Sequence, residues 1–398
     1  MRQVTDMPIL RLLTRPQFQA MRFRSTLLAL PLLFVQGIRA QQFTDAASYD
    51  AWKASQASDP VVGSGPVDES PMGERSNCDC WVEPDGSYTT VNNQSQWNAS
   101  GFNNGDDGSY GPINLPFMFQ LYGTFYNQVY ININGNLSFG NYYGIFSSTG
   151  FPVNNYPMVA PFWADVDLRG AGGNAVRFKV TPTALYVNWI DVGYYSMQVD
   201  KRNTFQVIIT NGTDPIVPNG ANVSFCYQDM QWTTGAASCI GGNTCVYGGI
   251  TYACGGGAGV GPGFCGAPAT VGANRGNGVN YMQFGRFNHP GIDYDGPFGG
   301  SDGVSWLDGK HFLFNTVQTS ANVPPVLTSS TVCDSVVVCV GETTTLQVTY
   351  LSPEPAQTTT PDASSTTLSN WVVTSALPGN TGSITGQFTP TIADIGYH

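Results

Sequence analysis

Charged residues and histidines are scarce in this sequence. Only 11% of its 398 residues are charged, where about 25% is usual for soluble domains, and there are three histidines. No stretch keeps a 3.6-residue apolar period, and no apolar run approaches the roughly 18 residues needed to span a bilayer. These absences exclude a mainly helical protein, a histidine-rich metal centre and a transmembrane helix within the chain.

Glycine, proline and aromatic residues are abundant instead. There are 47 glycines, 26 prolines and 12% aromatic residues, a composition typical of turn-rich β-structure. In VYININGNLSFG (129–140), Val129, Ile131 and Ile133 alternate onto one face. The following Asn134-Gly135 is a strong signal for a tight hairpin turn with two left-handed residues. We therefore predict a mainly β fold of antiparallel, sandwich-like architecture.

The N-terminus has the layout of a secretory signal peptide. Arg22 and Arg24 precede the apolar run STLLALPLLFV (25–35), and Ala40 supplies the small residue at a cleavage site. We expect 1–40 to be removed, with Met21 as an alternative start, and the protein to be secreted or held at the cell surface. The remaining chain has a net charge of −16. Such an acidic surface repels nucleic acids and anionic membranes.

Nine cysteines without a C-x2-C pair favour disulfides in an oxidising compartment over zinc. A local Cys333–Cys339 bridge is plausible, and the odd count leaves one cysteine over; the sequence does not decide the other pairings. The disulfide candidates are Cys78, Cys80, Cys226, Cys239, Cys245, Cys254, Cys265, Cys333 and Cys339. We expect the bridges to support the glycine-rich stretch 234–278.

Five N-x-S/T sequons occur, and in a eukaryotic secretory pathway the exposed ones could be glycosylated, whereas in a bacterium they would be polar turn residues. We predict Asn93, Asn98 and Asn211 as acceptors, because they lie outside strand patterns. Asn136 and Asn222 lie inside strand patterns, where an attached glycan would be blocked.

Composition changes divide the chain into regions. A polar lead-in, expected to be loosely ordered, covers 41–75, and the main β domain covers 76–316. A linker at 317–324 runs into Pro324-Pro325, and a second β module covers 325–398. Its last residues, Asp394-Ile395-Gly396 and His398, resemble the corner before the sixth strand of an immunoglobulin-like sandwich. We expect this module to be truncated, without its last two strands.

Two acids in VAPFWADVD (159–167) raise the question of chemistry. In an extended chain Trp163, Asp165 and Asp167 share one face, and such a carboxylate pair could cleave a sugar bond. A pair on one strand, however, lines only one side of a substrate. Arg169 beside it would also keep both acids ionised, which opposes a general acid. We favour a structural role in which the acids accept backbone N–H bonds and pair with Arg169.

Calcium is the second interpretation of these acids. It would need oxygens from several loops, and Asp293 and Asp295 in GIDYDGPFGG could join Asp165 and Asp167. No other cofactor is indicated.

Serine hydrolysis is a weaker alternative. GGSDG (299–303) fits G-x-S-x-G around Ser301, with His289 or His311 as the base, but it lies among turn residues rather than at a strand-to-helix elbow. We expect both histidines to be surface or loop residues.

Four tryptophans sit within apolar alternation, so we expect core positions for them, with sugar stacking as the alternative. They are Trp163, Trp189, Trp232 and Trp306.

Six stretches, in order and spacing, resemble the NIDO domain of nidogen, alpha-tectorin and some mucins. They are ININGNLSFG, MVAPFWADVDLRG, VNWIDVGYY, DKRNTFQVIITNG, NVSFCYQDMQWTTG and, more loosely, GVNYMQFGRF. The wider region from Cys78 to Asn315 resembles the version in large microbial surface proteins, which carry immunoglobulin-like repeats after it. The cysteine-bearing insert at 239–265 departs from the family pattern.

The resemblance implies a non-catalytic extracellular protein that acts in cell–matrix adhesion or matrix assembly. Its partners would be matrix or cell-surface proteins or glycans, and the family supplies no catalytic residues. The alternative function is a carbohydrate-binding or glycan-cleaving module that uses Trp163, Asp165 and Asp167.

Overall fold

The structure is a computed structural model, and it describes most of the chain after residue 44. The described ranges are 45–55, 80–99, 105–172, 175–217, 220–238, 244–247, 250–253, 263–264, 266–299, 302–317, 325–328, 338–352, 357–363 and 370–394. The signal peptide predicted at 1–40 lies outside these residues. No helix in the described ranges has the length and apolar character to cross a membrane.

The fold is mainly β, as the composition predicts, with one α-helix, α1, at Ala46–Ala54. The strands are β1 Thr89–Val91, β2 Ser109–Leu121, β3 Thr124–Asn132, β4 Asn136–Ser138, β5 Met158–Trp163, β6 Val166–Asp167, β7 Ala175–Val180, β8 Ala184–Tyr194, β9 Gln198–Thr210, β10 Val223–Met230, β11 Thr244–Tyr247, β12 Ile250–Ala253, β13 Ala269–Asn274, β14 Tyr281–His289, β15 Asp302–Gly303, β16 His311–Phe314, β17 Val326–Leu327, β18 Thr344–Leu351, β19 Val372–Leu377 and β20 Thr381–Phe388. Short 3-10 turns lie at Gln94–Gln96, Ala236–Ser238, Val304–Leu307 and Ile392–Asp394.

Two large sheets carry the architecture. The first has the order β1-β7-β8-β9-β10-β16-β17-β18-β20-β19, with β6 paired to β8. The second has the order β15-β14-β13-β5-β4-β3-β2, and β11 and β12 form a separate hairpin. All pairs are antiparallel except β14 with β15.

Aromatic side chains from both sheets meet in one apolar core. Phe162 on β5 lies 5.6 Å from Phe205 on β9 between ring centroids, and Phe225 on β10 lies 6.3 Å from Phe284 on β14. All four are fully buried. Facing sheets that share a core in this way form a sandwich, as predicted, and burial of such rings is its main source of stability.

The hairpin predicted at 129–140 forms between β3 and β4, and Val129, Ile131 and Ile133 are all buried in the core. The turn prediction is correct for Gly135, which has φ +69°, but Asn134 is not left-handed. A Cβ at Gly135 would lie 1.9 Å from the carbonyl oxygen of Phe162. Glycine is therefore required here, because this turn packs directly against the end of β5.

The lead-in predicted to be loosely ordered contains α1, so that expectation is wrong for residues 46–54. Asp45 caps the helix by accepting a hydrogen bond from the backbone N–H of Ser48 at 2.8 Å. The helix is only nine residues long. Helices this short are marginal alone, so its order depends on contacts with the sandwich.

Strands from the predicted second module continue the first sheet rather than starting a separate one. Leu327 on β17 pairs with Leu313 on β16, and β18, β20 and β19 follow in order.

Candidate functional site

The two acids of VAPFWADVD lie where the chain crosses between sheets. β5 pairs with β4 and β13 in the second sheet, whereas β6 pairs with β8 in the first. Phe162, Ala164 and Val166 all face the main core, as the alternation predicts. The opposite side of the crossing carries Asp165 and Asp167, and both are buried.

Two further aspartates come to the same place from the turn before β2. Asp106 and Asp107 are buried, and with Asp165 they bring one carboxylate oxygen each within 4.8 Å of the others. Asn134 of the β3–β4 turn orients this group. Its side-chain amide donates to Asp107 Oδ1 at 2.6 Å, and its own Oδ1 accepts from the backbone N–H of Val166 at 3.1 Å.

Lys53 on α1 fills the centre of the acids. It is fully buried, and its Nζ donates to Asp165 Oδ1 at 2.6 Å, Asp107 Oδ2 at 2.8 Å and Asp106 Oδ2 at 2.9 Å. The ammonium therefore stands where a metal ion held by the same oxygens would lie. A buried charge is tolerated only when it is paired and hydrogen-bonded in this way.

Aromatic rings enclose the ammonium. Nζ lies 4.4 Å from the ring centroid of Phe146 and 4.3 Å from that of Tyr195. The hydroxyl of Tyr49, one helical turn before Lys53, donates to Asp107. The face of α1 that carries Tyr49 and Lys53 is thus the face bound to the sandwich, and water is excluded from the ion pairs.

Arg169 holds the other acid of the pair. Its Nε and Nη2 donate to the two oxygens of Asp167 at 2.9 and 2.7 Å, a bidentate geometry. Its Nη1 reaches Asp50 on α1 at 2.5 Å, and its Nη2 lies 3.3 Å from Asp106. Lys53 and Arg169 therefore connect α1 to the acids at two points.

Burial dominates the electrostatics of the cluster. It raises the pKa of Asp165 to about 7, and the Lys53 ammonium only partly offsets this effect. Burial, with the neighbouring charge of Asp107, also raises the pKa of Asp106 well above its usual value. Burial by itself would lower the pKa of Lys53, but the surrounding carboxylates raise it well above the usual value. The ammonium is therefore the resting form of Lys53.

The remaining calcium candidates lie in a different loop, after β14. Asp293 and Asp295 are exposed, and the Nε2 of His289 lies 2.9 Å from Asp293. In the described ranges, the acids that come together with metal-ligand spacing are Asp106, Asp107 and Asp165. The four-residue calcium set of the sequence analysis is thus not gathered at one point.

Both histidines lie in strands, and buried His289 contradicts the expected surface or loop position, whereas His311 keeps partial exposure. His289 ends β14 and is buried, and His311 begins β16, where its Nε2 lies 3.0 Å from the hydroxyl of Ser224. Each histidine pairs with a residue of a neighbouring strand, His289 with Gly303 on β15 and His311 with Cys226 on β10. Ser301 lies outside the described residues.

The tryptophans are confirmed as core residues. Trp163, Trp189 and Trp232 are fully buried, Trp163 in a smaller apolar cluster and the other two in the main core, against which Trp306 is half-buried. The indole N–H of Trp163 donates to the carbonyl oxygen of Ile145 at 2.8 Å, so its polar edge is also satisfied. A sugar could not stack on it without opening the fold.

The described disulfide joins Cys80 to Cys226, 146 residues apart in sequence. It lies outside the glycine-rich stretch, and Cys339 is exposed and free rather than bridged to Cys333. The other candidates Cys78, Cys239, Cys254, Cys265 and Cys333 lie outside the described residues, and only the backbone of Cys245 is described. Of the sequons, Asn93, Asn98 and Asn211 are exposed, whereas Asn136 and Asn222 are buried.

The sequence patterns do not single out Lys53, Asp106 or Asp107 as site residues. The consecutive acids in NNGDDGSYG were a weak signal, since such pairs are usually exposed. Nothing local marks Lys53, which stands in a short polar segment more than 50 residues before the nearest acid of the cluster.

Comparisons with known proteins relate part of the chain to a family of extracellular-type domains and to three relatives. Residues 82–245 match the model of the family described as NIDO related. Alpha-tectorin of Gallus gallus is 31% identical over a stretch covering 33% of this chain and 7% of alpha-tectorin. Alpha-tectorin of Homo sapiens is 30% identical with the same coverage, and nidogen of Drosophila melanogaster is 26% identical over 34% of this chain and 13% of nidogen.

The chain thus spans 13% or less of the length of these relatives. No solved structure matches it significantly. The matched region contains Asp106, Asp107, Asp165, Asp167 and Arg169, but α1 and Lys53 lie before it.

Proposed function

We propose that this protein is a secreted or cell-surface adhesion or matrix protein that acts without catalysis. The observations that carry the proposal are the NIDO-related region at 82–245 and the similarity of about a third of the chain to alpha-tectorin and nidogen. Its partners would be extracellular matrix or cell-surface proteins, or the glycans attached to them. Binding would depend on surface complementarity, with no chemistry on the ligand.

The site geometry supports a non-catalytic role. A glycosidase pair must reach a sugar bond from solvent, with one acid free to give up its proton. Asp165 is instead held by Lys53 beneath α1, and Asp167 by Arg169. A surface pocket of about 370 Å³ lies elsewhere, lined by residues such as Gln96, Tyr110 and Phe178, and none of these acids lines it.

Two observations support an extracellular location. The signal-peptide pattern at 1–40 favours export, and the bridge between Cys80 and Cys226 requires an oxidising environment to persist. The exposed sequons at Asn93, Asn98 and Asn211 would then be available for glycosylation.

The domain arrangement is part of the proposal. The NIDO-like domain would extend over 76–316, with a lead-in at 41–75 and a linker at 317–324. The strands after Pro325 would begin an immunoglobulin-like spacer, as in the microbial surface proteins that the sequence resembles.

Binding to native matrix tests this function. The secreted full chain should bind saturably to cell layers and deposited matrix from its own organism, and protease treatment of those surfaces should remove the binding. A matched chain unfolded by reduction of the Cys80–Cys226 bridge is the control and should not bind. Failure of the folded chain to bind any native surface would overturn the proposal.

Binding to a glycan array distinguishes the proposed adhesion function from the carbohydrate-binding or glycan-cleaving alternative. Strong sugar binding that is lost in an Asp165→Asn/Asp167→Asn double variant would favour that alternative. Turnover of any glycan, abolished by the same change, would contradict a non-enzymatic role.

A further inference from the structure

The Lys53 amine nitrogen lies close enough to the Asp165 carboxyl group to react with it as well as to form an ion pair with it. The Nζ of Lys53 lies 2.6 Å from Asp165 Oδ1, which places it next to the carboxyl carbon Cγ. Both side chains are fully buried, and the rings of Phe146 and Tyr195 enclose Nζ. Nucleophile and electrophile held together without water are the conditions under which an intramolecular reaction gains most over its bimolecular equivalent.

The three acids around Nζ differ in what holds them. Asp107 accepts from the Tyr49 hydroxyl and the Asn134 amide as well as from Lys53, so both of its oxygens have hydrogen-bond partners. Asp165 is different. Its Oδ2 is buried, faces Gly235 and has no hydrogen-bond partner among the described residues.

An oxygen in such a position is costly as part of a carboxylate but tolerable as the hydroxyl of a neutral acid. The raised pKa of Asp165 agrees with a neutral carboxyl group. The pKa of Asp106 is raised as well, but its Oδ2 also lies 3.3 Å from the guanidinium of Arg169, whose charge favours the carboxylate. Asp165 has the shortest contact with Nζ, at 2.6 Å against 2.9 Å for Asp106. Asp165 is therefore the electrophile of the cluster, and its Oδ2 is the oxygen best placed to leave.

A proton acceptor is also present. Asp106 Oδ2 lies 2.9 Å from Nζ, and burial makes this carboxylate more basic than usual. Because the ammonium is the resting form of Lys53, the amine needed for attack would be a minority species, formed by proton transfer to Asp106 inside the site.

We propose that Lys53 and Asp165 join through an isopeptide bond that covalently fastens α1 to the sandwich. Lys53 gives one proton to Asp106, and its nitrogen lone pair then forms the N–C bond to Cγ of the neutral Asp165 carboxyl. A second nitrogen proton moves to the departing hydroxyl as the Cγ–Oδ2 bond breaks, and one water molecule leaves. The product is a secondary amide that keeps one N–H, and no oxidant, metal or co-reactant is consumed.

The bond would suit a short helix at the start of an extracellular domain. It would connect residues 112 apart and would hold α1 in place even when the ion pairs around it are opened. Like a disulfide, it would also restrict the unfolded chain, but reduction would not break it. The proposal rests on the cluster alone and does not depend on the adhesion function.

Mass spectrometry of the full chain tests it directly. After purification, reduction and denaturation, the intact mass should fall short of the sequence mass by one water molecule. Trypsin cleaves poorly after an acylated lysine, so no cut should occur after Lys53. Digestion with trypsin and chymotrypsin together should yield one branched peptide that links residues 53–75 to residues 164–168.

Two variants serve as controls. Lys53→Arg keeps the positive charge but lacks a nucleophilic amine, and Asp165→Ala removes the electrophile; both should have the full mass. Asp165→Asn is unsuitable, because an amide side chain could form the same bond with loss of ammonia. Asp106→Asn should lower the linked fraction, since the proton acceptor is lost.

Three outcomes would contradict the proposed bond or its assignment to Asp165. Folded wild-type protein with the full mass and a normal cut after Lys53 would overturn the proposal. A water loss that maps to a cyclic imide at Asp107-Gly108, with Lys53 unlinked, would also overturn it. A bond from Lys53 to Asp106 or Asp107 would overturn the assignment of Asp165 as the electrophile.

Discussion

Two D-x-D motifs with the same spacing differ in their burial and in their partners. Asp165 and Asp167 are buried at the crossing between the sheets and are held by Lys53 and Arg169. Asp293 and Asp295 lie exposed in the loop after β14. The spacing of two acids therefore does not indicate their role, because burial and distant cations decide whether the acids stabilise the fold or remain at the surface.

The largest effect should come from removing the cation of the buried motif. Lys53→Met keeps the length of the side chain but leaves three buried acids without their ammonium. We expect the free energy of unfolding to fall by about 3–5 kcal/mol, the usual loss when one partner of a buried ion pair is removed. Urea denaturation of the full chain measures this.

Lys179→Met is its matched control. Lys179 pairs with Asp85 at 3.8 Å near the surface, and we expect a change of about 0–1 kcal/mol. Equal losses in the two variants would show that burial does not distinguish these cations.

Substitution of one acid from each motif compares them directly. Asp165→Ala removes a hydrogen bond to a charged group and should destabilise the protein by about 1.5–3 kcal/mol. Asp295→Ala changes an exposed side chain and should stay within about 0.5 kcal/mol of wild type. Thermal and urea unfolding of both variants would show it, and a larger loss for Asp295→Ala would reverse the comparison.

Asp302 lies beside the exposed motif but is itself buried, so its effect on stability should depend on pH. Burial raises the pKa of Asp302 to about 7, although the backbone N–H groups of Arg286 and Asp295 donate to it. The folded state thus retains this proton where the unfolded state has lost it. Its stabilising contribution is complete below about pH 4 and is lost as the pH rises to about 7.

Asp302→Asn should remove that part of the slope. The stability of wild type relative to the variant should therefore decrease between pH 4 and pH 7, as measured by urea unfolding at several pH values. Asp85→Asn is the control of opposite sign, because hydrogen bonds from Ser87 lower the pKa of Asp85. A difference between wild type and Asp302→Asn that does not change with pH would contradict the raised pKa.

Calcium should have the smallest effect on the wild-type protein. The Nζ of Lys53 already occupies the position among Asp106, Asp107 and Asp165, so millimolar calcium should not raise the Tm of chelator-treated protein through this cluster. Lys53→Met should gain a calcium-dependent rise in Tm. A rise in wild type that disappears in an Asp293→Ala/Asp295→Ala double variant would instead locate calcium at the exposed motif.

Local patterns predicted most of what lies inside single elements. The alternation in VYININGNLSFG identified the buried face of β3, and the alternation around Phe162 and Val166 identified the core side of the sheet crossing. These predictions hold because side-chain direction in a strand follows from a period of two. The structural interpretation of Asp165 and Asp167 agrees with their burial, but only Asp167 is held by Arg169.

The partner of Asp165 could not be predicted in the same way. Lys53 reaches it across 112 residues of sequence, from a segment whose composition suggested loose order. The pairing of Cys80 with Cys226 escaped prediction for the same reason, since several pairings were open and only the packing of β10 brings these two together.

The sequence by itself determined the β class, the alternating core and the resemblance to the NIDO domain, because these depend on neighbouring residues and on ordered motifs. The tertiary structure alone decided that four buried aspartates share two cations beneath a nine-residue helix. Ion pairing inside a protein depends on distances between remote segments and on the exclusion of water. Both quantities arise only when the sheets pack and α1 covers the crossing between them.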